Sequence, residues 1–384
     1  RFRRDLARHR FHALPEIDEG QIDTSVDFLG YRVALPFFIS AMTGGSEAGF
    51  KANKELARLA QAEKLPVGMG SIRILFSKPE LVSHFSLKQW APDVPVVANL
   101  GGVQIRDMVH SQIHEMVKRL EVDALAIHLN PAQELFQAEG DRDFRGILEA
   151  IRSFCQTSPV PVVVKETGCG INPAEAARLL KAGAAFVNVA GSGGTNWATV
   201  EAWRNQENPP ARARKAPSMT AAKEFADWGN PTGLVLAALS RMDDSGRFGS
   251  PSPKPLLFPA GQSFSAARLA SLEKKGKKET PAKPSSDGIL NGRILASGGI
   301  RTGRDLAACL ILGARMAGTA LPLNRAIHDG GMESGQAFVD DIRTVLRRIM
   351  VLADCATVGQ LRAAPYRLSP DLDREVQELI RIFE

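Results

Sequence analysis

Eight short apolar runs recur along this 384-residue chain, and each ends in small or polar residues ahead of a helix-like stretch. They are VALPFFISAMTGG (33–45), LPVGMGS (65–71), VPVVANLGG (94–102), VDALAIHLN (122–130), VPVVVKETG (160–168), AAFVNVAGSGG (184–194), GRILASGG (292–299) and ARMAGTALP (314–322). The runs are continuous in Val, Ile, Leu and Ala rather than alternating. That is the pattern of parallel strands covered on both faces by helices. Between them lie EAGFKANKELARLAQAEK, RDMVHSQIHEMVKRL and NPAEAARLLKAG; the last opens at Asn172-Pro173 and stops at Gly183. Eight such units predict an α/β fold, a TIM (β/α)8 barrel, with residues 1–384 as one domain. A doubly wound sheet is the alternative, but it usually has fewer strands and an early GxGxxG, which this chain lacks. A TIM barrel builds its active site at the C-terminal ends of its strands. The unusual residues collect there: MTGG, GSIR, NLGG, HLNPAQE, KETG, GSGGTNW, SGGIR and GTA.

One stretch breaks the pattern. Residues 241–290 contain 25 Ser, Pro, Gly or Lys out of 50, and read as a low-complexity insertion before the seventh barrel strand, expected to be disordered. It also explains the basic pI of about 9.2. Residues 1–10 and 241–290 each carry a net charge of +4 against a total of +6, so the presumed folded body has no basic surplus. Nucleic acid is therefore not an expected partner. No apolar run reaches the roughly 18 residues of a membrane span, so no membrane partner is expected either. The N-terminus RFRRDLARHR lacks an apolar core and an initiator Met, so the expectation is no signal peptide and a chain that is truncated or processed. The cysteines at 155, 169, 309 and 355 form no CxxC, which argues against zinc and against a disulfide framework and suits a reducing, cytoplasmic compartment.

SGGIRTGRD (297–305) and AGTALP (317–322) match the phosphate site that many barrels carry after strands 7 and 8, where glycines let backbone N–H groups approach an anion. Tight turns that need glycine would leave the same trace. Such sites commonly hold the phosphate tail of FMN. Lys165 could place a cation near the flavin's pyrimidine edge, with Asn99, Ser71, Thr43 and Thr195 as polar partners. The same lysine could form a Schiff base or bind a substrate phosphate.

These motifs also carry a family resemblance. AMTGG, HLNPxQE followed by EGDRDFRG, VVVKETGCGI, VAGSGGTNWATVE, ADWGNPT and ASGGIRTGRD resemble the type 2 isopentenyl-diphosphate isomerases, in the same order over roughly residues 11–240 and 291–350. The resemblance implies an FMN-dependent TIM-barrel enzyme with an isoprenyl diphosphate substrate. The expected reaction is a 1,3-allylic proton shift between isopentenyl and dimethylallyl diphosphate, with the flavin reduced by NADPH, with Mg²⁺ present, in a homo-oligomer. It implies Glu134 as the metal ligand and Gln133 as the catalytic residue facing the alkenyl carbons. His128 and Asn130, with Ser71 and Arg73, become diphosphate contacts. Met42, Thr43, Ser71, Asn99, Lys165, Thr195, Gly299, Arg301, Ala317 and Gly318 become flavin contacts. Bland readings stand beside these: His128 as a buried hydrogen-bonded histidine, Glu134 as a helix-opening carboxylate, Trp197 and Cys169 as packing. EGDRDFRG is expected to be scaffolding, its charges fixing a loop.

The chain departs from the family at two places. Gly70-Ser71-Ile72-Arg73 stands where the family reads Gly-Ser-Gln-Arg, and the family's N-terminal Arg-Lys-x-x-His segment is not found. A catalytically impaired FMN-binding homologue is therefore one alternative. A hydroxy-acid-oxidase-like oxidoreductase on the same barrel is the other, although HLNPxQE occupies the strand end in question.

Overall fold

The computed structural model describes residues 11–41, 46–207, 219–244 and 292–383. Its ten strands are β1 (Val26–Phe28), β2 (Tyr31–Val33), β3 (Phe37–Ile39), β4 (Val67–Ser71), β5 (Val96–Gly101), β6 (Ala124–Leu129), β7 (Val162–Glu166), β8 (Phe186–Asn188), β9 (Ile294–Ala296) and β10 (Met316–Thr319). β3 to β10 close into a barrel in the order β10-β3-β4-β5-β6-β7-β8-β9. Every pairing in it is parallel. Each of the eight apolar runs contains one barrel strand, so the chain is the TIM barrel that its periodicity predicts. Phe37, Ile39, Met69, Leu100, Val164 and Met316 are 0–1% exposed, which puts the core inside the wall and beneath its helices.

The helices obey local chemistry. Asn172 accepts from Glu175 N and Glu175 answers to Asn172 N, so a capping box with Pro173 starts the helix Pro173–Lys181. Gly183, at φ +107°, follows its end. RDMVHSQIHEMVKRL does not form one helix. It splits into Gly102–Asp107 and His110–Arg119, because Met108 adopts extended angles (φ −98°, ψ 156°). The break leaves Arg106 bonded to the carbonyls of Asp143 and Arg145, at 2.6 and 3.1 Å.

The strand pattern does not announce the hairpin β1–β2. Leu29 and Gly30 both take positive φ (51° and 80°), the turn that matches strand twist. Phe28 packs its ring, tilted by 54° and 5.2 Å away, against Phe186 at the start of β8, so the hairpin sits against the N-terminal end of the barrel. Tyr31 donates to Asp123 at 2.6 Å, and Asp123 pairs with Lys88 at 2.7 Å. That end is thereby closed by packing, and the opposite end is left for a site.

Of the stretch 241–290, Arg241–Asp244 complete the helix Thr232–Asp244. The remainder lies outside the described residues.

Candidate active site

A cavity of about 1340 Å³ opens at the C-terminal ends of the barrel strands. Ser71, Arg73, Asn99, His128, Asn130, Gln133, Glu134, Lys165, Thr195, Gly299, Arg301 and Gly318 all line it. Strand register explains the convergence. Ser71 is level with Asn99, and Lys165 with both His128 and Asn188, so one polar layer caps the apolar core.

Within that layer His128 Nδ1 lies 2.9 Å from Asn99 Oδ1, which requires the proton on Nδ1 and leaves a lone pair on Nε2. Burial, then the positive charges of Lys165 and Arg73, hold the ring neutral and lower its pKa to about 3. Lys165 is 9% exposed, and burial draws its pKa down to about 8 against the opposing pull of Glu166. Among the described residues nothing hydrogen-bonds its Nζ. A buried cation facing a cavity is suited to an anion or an electron-rich ring edge. Neighbouring Glu166 does different work. Its Oε2 accepts from the backbone N–H groups of Gly168 (2.5 Å), Cys169 and Gly170 (3.0 Å), and so shapes the loop after β7.

HLNPAQE turns from β6 directly into the helix Pro131–Phe136, with Asn130 at its cap and Pro131 in its first turn. Asn130 Nδ2 donates to Gln133 Oε1 at 3.2 Å and to Glu134 Oε1 at 3.0 Å. Gln133 Nε2 donates to Glu201 Oε1 at 2.7 Å. Both ends of the Gln133 carboxamide are thus fixed. Glu134 is 7% exposed, and its second oxygen accepts from Asp141 N at 2.8 Å. EGDRDFRG holds itself and its surroundings as expected: Arg145 grips Asp143 at 2.7 Å and Arg204 reaches Glu139 at 2.6 Å.

Curated relatives agree along nearly the whole chain. A protein from Borrelia garinii subsp. bavariensis named isopentenyl-diphosphate delta-isomerase is 35% identical over 375 residues, covering 98% of this chain and 90% of its own length. Proteins of the same name from Nostoc sp. and Methanoregula boonei are 35% and 36% identical, covering 93% and 92% of this chain and 87% and 84% of theirs. The chain belongs to the isopentenyl-diphosphate delta-isomerase family. Its closed parallel barrel agrees with the type 2 resemblance carried by the motifs. No protein-family model matches it. Among solved structures it is similar to a mandelate oxidase mutant with a monooxide FMN adduct (TM-score 0.57, 16% identity, 96% of this chain and 89% of that one). It is also similar to a flavocytochrome b2 variant with sulfite bound (TM-score 0.56, 18% identity, 97% and 76%). At such identities these establish the barrel fold alone.

In this family member not every expected contact reaches the cavity. Met42 and Thr43 lie outside the described residues. Ala317 is 0% exposed within β10, does not line the cavity, and donates its N–H to Pro36 O at 3.0 Å. Arg301 lines the cavity, yet its guanidinium is spent on the carbonyls of Gly299 (3.1 Å) and Gly193 (2.8 Å). It clamps two loops together instead of offering both ends of its fork to a ligand. Gly318 is required by packing, since a Cβ there would fall 2.3 Å from the Phe38 ring. Ile72, in place of the family's Gln, is 0% exposed and serves the core.

Glu201 is the residue that sequence reading passed over. It is 3% exposed, holds Gln133, and accepts from Arg204 at 3.2 Å. The signal was present: Glu201 follows Trp197 by four positions in a helix that starts at Trp197, so both share its cavity-facing side.

Proposed function

We propose that this chain interconverts isopentenyl diphosphate and dimethylallyl diphosphate by a 1,3-allylic proton shift, using reduced FMN, Mg²⁺ and NADPH as reductant. The observation that carries the reading is the Asn130–Gln133–Glu201 array on the cavity wall of a chain that shares 35% identity with named isomerases along 98% of its length.

The residues suit FMN. Gly298 and Gly299 take φ of +91° and +82°, and a Cβ on Gly299 would stand 3.0 Å from Gly193 O, so two loops meet backbone to backbone. The helical segment Leu321–Leu352, kinked at Gly331, has Ala320 at its start with no side-chain cap, whereas Thr302 and Asp305 already close the start of Gly303–Ile311 with a capping box. The phosphate tail would therefore sit against Gly298-Gly299 and Gly318–Leu321. Lys165, Asn99, Ser71 and Thr195 would hold the ring. Reduced FMN supplies an electron-rich acid/base surface when bound.

The remaining chemistry belongs to the chain. Gln133 presents a neutral polar group to the alkenyl carbons, fixed in one orientation by Asn130 and Glu201. The buried Glu201 carboxylate, one hydrogen bond behind, favours positive charge developing in front. A neutral amide cannot itself trap a carbocation as an ester. Glu134 offers one well-ordered carboxylate. No group of three His, Cys, Asp or Glu able to hold a metal occurs among the described residues. That fits an ion that takes the rest of its shell from diphosphate oxygens and water. Arg73 and His128 meet the diphosphate, and an anion there offsets the Lys165 and Arg73 charges, which after burial are the lesser part of what keeps the His128 ring neutral.

The same proposal takes the chain as one domain, a homo-oligomer in the reducing cytoplasm. The free thiols of Cys155, Cys169, Cys309 and Cys355 and the exposed Trp203 beside Val200 support this. No described helix is long and apolar enough to cross a membrane. The deciding experiment is anaerobic assay of FMN-reconstituted protein with Mg²⁺, with and without NADPH. Allylic isomerisation dependent on reduction supports the proposal; a colourless protein that takes up no FMN sinks it.

A further inference from the structure

A second cavity, of about 1080 Å³, lies away from the barrel mouth, between the helix Thr232–Asp244, the starts of β9 and β10, and the helix Val358–Ala363. Four arginines line it, Arg241, Arg315, Arg362 and Arg367, together with Asp243 and Asp373, of which Asp373 is paired with Arg241. Arg241 and Arg367 are exposed, whereas Arg315 and Arg362 are half-buried. Arg315 immediately precedes β10, and Arg362 ends the neighbouring helix. They are coupled: an Arg362 Nη2–H donates to the Arg315 carbonyl, and an Arg315 Nη2–H to the Asp27 carbonyl at 2.5 Å.

Neither guanidinium has a carboxylate in contact. The favourable charge acting on Arg315 is that of Asp27, which is exposed and faces Arg32 at 3.5 Å. Arg362 is in contact with neither Asp243 nor Asp373 of the same cavity, and feels Arg315 as a repulsive neighbour. Both Nε–H groups are buried without partners, and no hydrogen bond among the described residues engages either Nη1. Loop clamping accounts for the two Nη2 contacts. It does not account for placing two guanidinium groups side by side in a partly desolvated wall with no carboxylate in contact, which is costly unless a counter-ion arrives. A planar guanidinium fork matches phosphate oxygens. The rest of the lining is partly apolar, with Leu236, Leu239, Ile311 and Leu368, and Ser240 and Tyr366 add hydroxyls.

We infer that the Arg315–Arg362 pair and this cavity form a second anion site, for a phosphate or diphosphate monoester with an apolar body, separate from the catalytic cavity. The two open Nη1–H groups bind the phosphate oxygens, and the leucines cover the body. The site stands independently of the proposed isomerase activity, because none of its residues lines the catalytic cavity.

The test is hydrogen–deuterium exchange on the full FMN-loaded chain titrated with sodium diphosphate, with bound diphosphate counted by equilibrium dialysis. The expected result is slowed exchange in residues 313–316 and 358–368 and two diphosphates bound per chain. In Arg362→Gln that protection and one of the two diphosphates are lost, at least a tenfold weakening, while Arg362→Lys retains part of it and kcat is unchanged. Butyl phosphate should bind there at least threefold more tightly than inorganic phosphate. A single diphosphate per wild-type chain with no protection at 358–368 overturns the site, and needs no variant to fold. Equal protection in Arg362→Gln overturns the role of the arginine. Equal affinity for the two phosphates overturns the apolar part.

Discussion

Two side chains, Gln133 and Glu134, are adjacent in sequence, yet the proposed function gives them different tasks. The Gln133 carboxamide is anchored at both ends, so shortening it by one methylene withdraws it from Glu201 without adding charge. Gln133→Asn is expected to lower kcat roughly 100-fold, with the flavin absorbance of the purified protein unchanged. Glu134→Gln keeps the shape and removes the charge. It is expected to raise the Mg²⁺ concentration for half-maximal rate by roughly 10- to 100-fold. Unchanged rates in both would remove these roles. Lys165 gives a pH test. Its pKa is lowered to about 8 in the folded protein, from the ordinary 10.5. A depressed lysine pKa means that the unfolded chain binds the proton more tightly. The FMN-free protein therefore gains stability as pH rises from about 8 towards 10.5. Binding of an anionic flavin has the opposite sign: affinity should fall as pH rises above 8, because the cation is lost. Flavin-fluorescence titrations should show that fall in the wild type and a flat profile in Lys165→Met. His128, Asn130, Gln133 and Glu134 were legible as cavity residues because four polar residues cluster at one strand end, although His128 and Glu134 each have a structural reading as well. Glu201 was missed despite its i+4 spacing from Trp197, because its partner Gln133 is 68 positions away and a single helical Glu reads as a solvated face.

At the scale of elements, legibility followed burial. The eight barrel strands are buried on both faces, and so wrote themselves as continuous apolar runs. The hairpin β1–β2 has a buried-exposed-buried pattern of only three residues per strand, too short to be seen. The split at Met108 was equally hidden, since it is set by tertiary bonds from Arg106 to a loop nearly forty residues on. That loop carries a prediction. Arg106 holds the Asp143 and Arg145 carbonyls, and the same loop presents Asp141 N to Glu134. Arg106→Ala should therefore loosen Glu134 without touching the flavin contacts. The expected outcome is a several-fold weaker Mg²⁺ activation, roughly one lost charge-assisted hydrogen bond at Glu134, with FMN affinity unchanged. A matching loss of FMN affinity would mean that the loop supports the whole mouth instead.

The whole molecule is a closed ring of strands, so the first barrel strand, β3, needs the last, β10, to be complete. The proposed flavin contacts are spread around that ring: Ser71 at the end of β4, Asn99 on β5, Lys165 on β7, Gly299 after β9 and Gly318 on β10. A ligand that bridges so many strand ends binds only the closed barrel. Its binding energy must then appear as stability of the entire fold, not of one loop. At a free FMN concentration of about 100 times Kd the gain is about 2.7 kcal/mol. For a barrel of this size that raises the unfolding midpoint by a few degrees. Scanning calorimetry should show one transition moving as a unit with FMN, and a smaller shift in Lys165→Met at the same ligand concentration. Two transitions, only one of them sensitive to FMN, would show that the ring does not unfold cooperatively and that the flavin contacts are confined to part of it.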